Sequence, residues 1–347
     1  MIRIKNIFHM LAYAFKALDE EKDSYAKIQS EDFEYAEDLL AAILAKGMAD
    51  QIKRGLGRGY VLHTESTTTP HGKINISESL KTQSLLKKQL VCEFDIFSEN
   101  IYVNRVLKTT ATVLIRSDKV EEERKKALKR VLLYFSTVDL LNYRKIRWSE
   151  IEYHRNNEIY RMLINICYFA LESLLPTTDI GQKKISRFRD EALHELFERF
   201  VREYYRKHYP QFGVSASYID WNLDDDNIEL LPVMKTDITI EYMGKTLIID
   251  TKYYNKIIRT NPLYNTRTIH SGNLYQIFSY VKNKDVKHNG NVSGLLLYAK
   301  TDESVTPDNR YSIDGNTISV KTVDLDKEFS NIRKQLDDII EEWLKKD

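Results

Sequence analysis

The sequence lacks the features that identify membrane, secreted and disulfide-stabilised proteins. No segment approaches the roughly 20 consecutive apolar residues of a membrane span, and the first residues, MIRIKNIFHMLAYAF, have no small-residue cleavage site. Only two cysteines occur in 347 residues, Cys92 and Cys167, and neither belongs to a C-x-x-C pair. These absences predict a cytoplasmic protein with free thiols, no membrane anchor and no cysteine-based metal site.

The sequence also lacks an excess of charge of either sign. Lysine and arginine number 52 against 51 aspartates and glutamates, which gives a net charge of +1. Bulk charge therefore does not indicate nucleic-acid binding, although local basic patches can still contact phosphates. The absence of a G-x-x-x-x-G-K-[ST] P-loop and of an H-E-x-x-H pattern excludes a P-loop motor and a zincin-type metal site.

The length favours two domains, and the segment PTTDIGQ, which begins at Pro176, is the best linker candidate. We therefore predict an N-terminal domain over 1–175, mostly helical with a small β region, and a C-terminal domain over 176–347. The C-terminal part alternates predicted helices and strands in an order that indicates an α/β fold, with a mixed sheet flanked by helices. The predicted elements there are a helix over 189–209, strands near 213–219, 236–242, 245–254 and 294–300, a helix over 273–283, a hairpin over 311–323 and a terminal helix.

One predicted strand pair carries charge in a segment whose hydrophobicity predicts burial. In TDITIEYMGKTLIIDTKYY, residues 236–254, a two-residue loop at Met243-Gly244 places Asp237 directly opposite Asp250. Lys252 lies two residues beyond Asp250 and points to the same face. Met-Gly is not an ideal hairpin turn, and a longer loop would shift this register.

Two carboxylates this close repel each other unless a positive group lies between them. Mg²⁺ fits because it prefers carboxylate oxygens and takes a substrate phosphate as a further ligand. Together with a lysine it would stabilise the charge that develops on a phosphodiester under attack. The alternative is a structural salt bridge at the end of a sheet. The basic segment that follows, with Lys256, Arg259 and Arg267, is either a phosphate-contacting loop or a solvated one.

Motifs in both halves of the chain resemble the McrC family, the endonuclease subunit of a 5-methylcytosine-specific, GTP-dependent restriction system within the PD-(D/E)XK nuclease superfamily. The segments that carry the resemblance are LLPVMKTDITI, LIIDTKYY and GNLYQIFSYV in the C-terminal half, and KNIFHMLAYAF, NRVLKTT and the Gly-Lys-Ile element at 72–74 in the N-terminal half. The sequence departs from the superfamily motif at two positions. Lys235-Thr236-Asp237 stands where Pro-Asp is expected, and Asp250 replaces a glutamate, but each change keeps the carboxylate of the motif.

The resemblance implies a PD-(D/E)XK-like endonuclease domain over 176–347. It implies that Asp237 and Asp250 bind Mg²⁺, that Lys252 is the catalytic lysine and that Gln276 assists near the site. The superfamily often adds a metal-binding glutamate from the first helix of this domain. Glu198 and Glu195 are the candidates for that position.

The resemblance also implies a partner, a hexameric AAA+ GTPase subunit that binds the GTP, recognises methylated DNA and translocates. The N-terminal domain would dock on this partner and stimulate its GTPase. Arg54, Arg58 and Lys73 are candidate contacts to the partner or to DNA, or ordinary surface cations. The sequence thus predicts a Mg²⁺-dependent DNA endonuclease subunit that uses a metal-activated water. The alternative is a regulatory subunit that mainly stimulates the GTPase, with weak or no nuclease activity.

Overall fold

The computed structural model describes residues 2–15, 25, 28, 30–151, 158–174, 182–225, 227–254, 258–261, 266–300 and 306–345. The helices are α1 (Ile4–Ala14), α2 (Ala36–Arg54), α3 (Ile76–Lys81), α4 (Tyr102–Ile115), α5 (Glu122–Leu132), α6 (Glu158–Leu174), α7 (Gln182–His208), α8 (Ser271–Lys284) and α9 (Phe329–Leu344). Within these ranges, none of the helices combines the length and the apolar character needed to cross a membrane.

The first strands are β1 (Gly59–Thr67), β2 (Lys73–Ile74), β3 (Leu90–Ser98), β4 (Gly213–Ser215), β5 (Tyr218–Ile219) and β6 (Met234–Lys235). They are followed by β7 (Ile238–Tyr242), β8 (Lys245–Lys252), β9 (Ile258–Asn261), β10 (Thr266–Ile269), β11 (Val292–Ala299), β12 (Asn309–Ile313) and β13 (Asn316–Val323).

The chain folds into two compact units, and this division corrects the predicted domain boundaries. The inserted unit is Phe33–Leu175, and the discontinuous unit combines Met1–Asp32 with Pro176–Asp347. The predicted boundary after residue 175 coincides with the end of the inserted unit. Residues 1–32, however, belong with the C-terminal segment rather than with the N-terminal domain to which the sequence analysis assigned them.

Helix α1 belongs to the discontinuous unit because its apolar face and its polar side chains both find partners there. Phe8, Met10 and Leu11 are buried, and α1 packs against α7. The Tyr13 hydroxyl lies 2.8 Å from Nε2 of His208 on α7. Asn6 Nδ2 donates hydrogen bonds of 2.8 Å to the carbonyl oxygens of both Leu325 and Lys327. These partners lie far along the chain, where local sequence patterns give no indication of them.

The inserted unit packs four helices together and carries a small antiparallel sheet. Helix α2 contacts α4, α5 and α6, and it is buried along most of its length, as expected for a central helix. The sheet has the strand order β1-β3-β2. The inserted unit is thus mostly helical and carries one small sheet.

The discontinuous unit is built around a six-stranded mixed sheet with the order β12-β13-β11-β8-β7-β4. Strand β11 runs parallel to β8 and β13, whereas the pairs β7–β8, β12–β13 and β4–β7 are antiparallel. All eight residues of β11 are buried, because helices cover both faces of the sheet. Helix α8 packs on the face that carries Ile248 and Leu296. The predicted α/β fold, a mixed sheet flanked by helices, is confirmed.

The turn between β7 and β8 fixes the register on which the predicted site depends. Met243 and Gly244 both have positive φ, 47° and 77°, which is the signature of a two-residue type I′ hairpin. Ile238 pairs with Ile249, so the next position, Asp237, stands opposite Asp250. The predicted register is therefore confirmed, although methionine is not a favoured residue in this turn.

Candidate active site

The candidate site lies where β8 ends in the middle of the six-stranded sheet. Asp237 immediately precedes β7, Asp250 and Lys252 belong to β8, and Gln276 lies on α8. Strand β8 has β7 on one side and β11 on the other, and this central position removes its side chains from water. Asp250 is 1% exposed and the Lys252 side chain 11%. Charged groups this deeply buried require partners.

Asp250 and Lys252 form a buried ion pair. Lys252 Nζ lies 3.0 Å from Asp250 Oδ1 and 2.8 Å from Oδ2. The contact to Oδ2 is electrostatic only, since no donor among the described residues meets this oxygen in hydrogen-bonding geometry. Burial raises the pKa of Asp250 to about 6, with a further upward contribution from Asp237 and an opposing one from Lys252. One buried carboxylate oxygen is thus available to a further ligand.

The amine of Lys252 is held in its charged form and aligned by α8. Burial favours the neutral amine, but the negative charges of Asp250 and Asp237 outweigh it, and the net effect raises the pKa of Lys252. Gln276 Oε1 lies 3.4 Å from Lys252 Nζ, and Gln276 Nε2 donates to the Tyr280 hydroxyl at 3.0 Å. Tyr280 fixes the amide so that its oxygen faces the lysine. Tyr280 is absent from the residues predicted from the sequence, although its i+4 spacing from Gln276 was available as a signal.

Asp237 is attached to the residue between Asp250 and Lys252 rather than to either of them. Its Oδ2 accepts hydrogen bonds from the backbone N–H of Thr251 at 2.8 Å and from the Thr251 hydroxyl at 2.9 Å. These two bonds attach the Asp237 carboxylate to β8 just beyond the last residue pair of the β7–β8 ladder, Ile238 and Ile249. The structure therefore brings the predicted residues Asp237, Asp250, Lys252 and Gln276 together at one end of β8.

Helix α7 contributes Glu198, and not Glu195, to the neighbourhood of Asp237. Glu195 is half exposed and pairs with Arg199. Glu198 is mostly buried and pairs with Arg202 at 2.6 Å. Burial and the negative charge of Asp237 raise the pKa of Glu198. The geometry thus distinguishes the two candidates that the sequence left open.

His194, one turn before Glu198 on α7, is a site residue that the sequence analysis missed. Its Nε2 lies 2.6 Å from the backbone carbonyl oxygen of Thr251 and donates to it, because a carbonyl can only accept. The i, i+4 spacing of His194 and Glu198 was the available signal. Among the described residues, no group of three or more histidine, cysteine, aspartate or glutamate side chains is assembled to hold a metal. The predicted set of Asp237, Asp250 and Glu198 is therefore not a preformed three-ligand cage.

Three of the predicted basic contacts belong to the discontinuous unit and three to the inserted unit. In the discontinuous unit, Lys256 lies outside the described residues. Arg259 and Arg267 belong to β9 and β10, which pair with each other in an antiparallel hairpin. Arg58, in the inserted unit, pairs with Glu99 at 2.7 Å.

Two further predicted cations lie in the inserted unit. Arg54 is the last residue of α2 and is exposed. Lys73, on β2, has an 83% exposed side chain and lies 3.9 Å from Glu93. Both side chains thus lie at the surface, and their role as contacts to the partner or to DNA stays a prediction.

The segment NRVLKTT contains a buried structural asparagine. Asn104 Nδ2 donates to the carbonyl oxygens of Gly57 and Glu99 at 2.9 and 2.7 Å. Its Oδ1 accepts from the Tyr160 hydroxyl at 2.7 Å, and the same hydroxyl accepts from the backbone N–H of Gly57 at 2.8 Å. Asn104 and Tyr160 together hold the glycine-rich segment that follows α2. A structural role accounts for this part of the motif.

Comparison with known proteins gives a consistent match over most of the chain. The model of the family described as McrBC 5-methylcytosine restriction system component matches residues 3–299. The type IV methyl-directed restriction enzyme EcoKMcrBC of Escherichia coli (strain K12) is 29% identical over 350 residues, which cover 99% of each chain.

Two solved structures are also similar. One is the refined half-complex from a tetradecameric assembly of Thermococcus gammatolerans McrB AAA+ hexamers with bound McrC. It has a TM-score of 0.47 and 15% identity, and the match covers 96% of this chain and 76% of that one. The other is the cryo-EM structure of the Thermococcus gammatolerans McrBC complex, with a TM-score of 0.38 and 18% identity over 58% of this chain and 56% of that one.

Proposed function

Because the chain belongs to the family of McrBC 5-methylcytosine restriction system components, we propose that it is the DNA-cleaving subunit of a modification-dependent restriction complex. In this role it is a type IV-like restriction endonuclease subunit that hydrolyses phosphodiesters with water as the nucleophile. The observation that carries the proposal is the buried Asp250–Lys252 pair beside Asp237, with one Asp250 oxygen lacking an aligned donor.

The donor set at the end of β8 fits Mg²⁺. Asp237 and Asp250 supply hard carboxylate oxygens, and Mg²⁺ is commonly held by one or two carboxylates with waters and substrate phosphate completing its shell. A three-ligand cage is therefore not required. Glu198, whose raised pKa reflects its burial and the charge of Asp237, is the third candidate ligand. The chemistry that bound Mg²⁺ supplies is acidification of water and neutralisation of charge on the phosphate.

The remaining residues act on the substrate through position and charge. Lys252, whose pKa is raised, is a cation at neutral pH and therefore donates hydrogen bonds to a phosphate oxygen or to the attacking water. It does not accept a proton from that water. Gln276, fixed by Tyr280, holds the ammonium group in place. His194 fixes the Thr251 carbonyl, and so the strand segment between the two charged residues. Fixed charges in a site shielded from water stabilise a transition state more strongly than solvated charges do.

The proposed partners are an AAA+ GTPase subunit and methylated DNA. A relative in Thermococcus gammatolerans is bound by McrB AAA+ hexamers, and the relative in Escherichia coli is a methyl-directed restriction enzyme. This chain contains no P-loop sequence, so the GTP would be bound by the partner. We also propose that the chain stimulates GTP hydrolysis by that partner.

The test is cleavage of methylated and unmethylated plasmid by the purified chain with Mg²⁺, with and without the GTPase subunit and GTP. Asp250→Asn should abolish cutting while leaving GTPase stimulation unchanged. Asp338→Asn, which alters an exposed aspartate on α9 of the same unit as Asp250, is the matched control and should cut normally. If the wild type never cuts but still accelerates GTP hydrolysis, the chain is a regulatory subunit and the nuclease proposal fails.

A further inference from the structure

An exposed loop shortly before Asp237 presents apolar side chains to solvent. Loop 220–233 connects β5 to β6. Ile228, Leu230 and Val233 are 73%, 96% and 75% exposed. Single exposed apolar residues are ordinary on protein surfaces, but a group of them on one projecting loop is typical of an interaction site.

The base of the loop is rigidly built into the discontinuous unit. Strands β5 and β6 pair with each other, and Ile219 and Met234 are buried in the core beneath α8. The Trp221 indole N–H donates to the Pro232 carbonyl oxygen at 2.8 Å, which ties the two sides of the loop together. The apolar tip therefore projects from a fixed support.

The tip adopts a strained conformation that directs a leucine to water. Leu230 has a φ of 65°, the left-handed region that branched and bulky side chains rarely occupy. The backbone N–H of Leu231 donates to the carbonyl of Ile228 at 3.2 Å, and the N–H of Glu229 donates to Asn227 Oδ1 at 3.1 Å. These bonds hold the turn, yet no burial within the described part of the chain offsets its strain. Burial of Leu230 against another molecule would offset this strain.

The charge of loop 220–233 indicates what kind of molecule would cover its apolar tip. Between Ile219 and Met234 the sequence has five acidic residues and no lysine, arginine or histidine, in a chain whose net charge is only +1. In the described part of the chain, no carboxylate of the loop takes part in an ion pair. Such a loop repels DNA phosphates. It complements a protein groove that is apolar in its centre and bordered by lysine or arginine.

We propose that loop 220–233 docks into an apolar, basic-rimmed groove on the GTPase subunit of the restriction complex. The inference rests on the proposed function, which supplies that partner. The docked loop would adjoin the active site, because Thr236, the neighbour of Asp237, donates its backbone N–H to the Ser217 carbonyl at 2.9 Å across the base of the loop. Asn222 at the base also donates its N–H to Asn283 on α8 at 2.8 Å.

The experiment measures the affinity of the full-length chain for the purified GTPase subunit in the presence of GTP. Leu230→Asp should raise the Kd on the order of 10-fold or more, the amount expected from losing one buried leucine. Met243→Asp is the matched control. Met243 is 85% exposed, has a φ of 47° and lies in a turn of the same unit. Aspartate tolerates positive φ, so both variants should fold, and circular dichroism checks this.

A second variant tests the charge. Asp224→Lys combined with Asp225→Lys should weaken binding to the subunit several-fold, and the loss should shrink at high salt because salt screens exposed charges. Wild-type affinity in both the leucine and the lysine variants would overturn the docking proposal while leaving the proposed function intact.

Two other outcomes separate the alternatives. If the wild-type chain itself does not bind the GTPase subunit, the proposed function loses its partner and fails with the docking proposal. If Leu230→Asp leaves subunit binding unchanged but weakens binding of the lone chain to a methylated duplex, the loop contacts DNA and the docking proposal is wrong.

Discussion

Asp250 destabilises the folded chain when it is ionised, and its replacement by asparagine should remove that effect. Burial raises its pKa from 3.8 to about 6. A carboxyl whose folded pKa lies above its unfolded pKa favours folding most at low pH, and this contribution is lost as the pH rises from 3.8 to about 6. At 1.36 kcal/mol per pH unit, the difference corresponds to about 3 kcal/mol. Because Asp250 is 1% exposed, solvent screening reduces this figure little.

The assay compares the free energy of unfolding of the wild type and Asp250→Asn between pH 4 and 8 in a chelating buffer. A Trp148→Phe background restricts fluorescence to Trp221 and Trp343, which both belong to the discontinuous unit. The wild-type value minus the variant value should fall by about 2 kcal/mol between pH 4 and pH 7.5, because the unfolded carboxyl is already partly ionised at pH 4 and the rest of the difference lies at lower pH. Measurements at pH 4, where the wild-type carboxyl is still largely protonated, give the baseline for the substitution itself.

Two results would refute this reasoning. A difference that does not change with pH would mean that the carboxyl of Asp250 is solvated and that the ion pair with Lys252 is not buried. A difference that rises with pH would mean that Lys252 stabilises the ionised carboxylate by more than burial costs it.

Three further predictions concern other parts of the molecule. In urea titrations at pH 7.5, Mg²⁺ at 100 times its Kd should stabilise the wild type by about 2.7 kcal/mol and Asp250→Asn hardly at all; equal stabilisation of both would exclude this metal site. Tyr160→Phe should destabilise the inserted unit by about 1–3 kcal/mol, because the buried Asn104 Oδ1 loses its donor and the part-buried N–H of Gly57 loses its acceptor. Urea unfolding followed by Trp148 fluorescence, in a background that combines Trp221→Phe with Trp343→Phe, measures the loss; wild-type stability would contradict the role given to this hydroxyl. Gly244→Ala should lower the free energy of unfolding on the order of 1 kcal/mol, since φ is 77° at this position. Met243→Asn should leave the free energy of unfolding unchanged or raise it. Thermal unfolding compares the two variants, and equal Tm values would argue against the type I′ turn.

The register of the central hairpin was predictable because it depends on short-range features of the sequence. Alternation along 236–254 defines two strands, and a two-residue loop between them leaves one pairing that brings Asp237 opposite Asp250. Lys252 then follows from the period of two. The resemblance of both halves to the McrC family is also confirmed, by a family match over residues 3–299.

The features that the sequence did not predict depend on how helices are rotated and placed against the sheet. Periodicity identifies α7 as a helix but does not determine which of its polar residues turns toward β8, so Glu195 and Glu198 were equivalent and His194 was overlooked. Tyr280 was missed for the same reason on α8. The assignment of α1 to the discontinuous unit depends on contacts with residues near His208 and Leu325, and no local pattern reports contacts at such separation.

The discontinuity of that unit has a consequence for synthesis on the ribosome. Helix α1 leaves the exit tunnel before the rest of its unit. The last strand of the sheet in that unit ends at Val323, and translation at 5–20 residues per second needs roughly 15 to 60 s to reach it. An isolated helix of 11 residues is marginal in water, so Phe8, Met10 and Leu11 remain uncovered in the nascent chain during this interval. The inserted unit, Phe33–Leu175, is complete long before then. The inserted unit can therefore fold while it still links the N-terminal segment to the part of the other unit that is being synthesised. Until that part is complete, the apolar residues of α1 have no core to pack against and can be bound by chaperones.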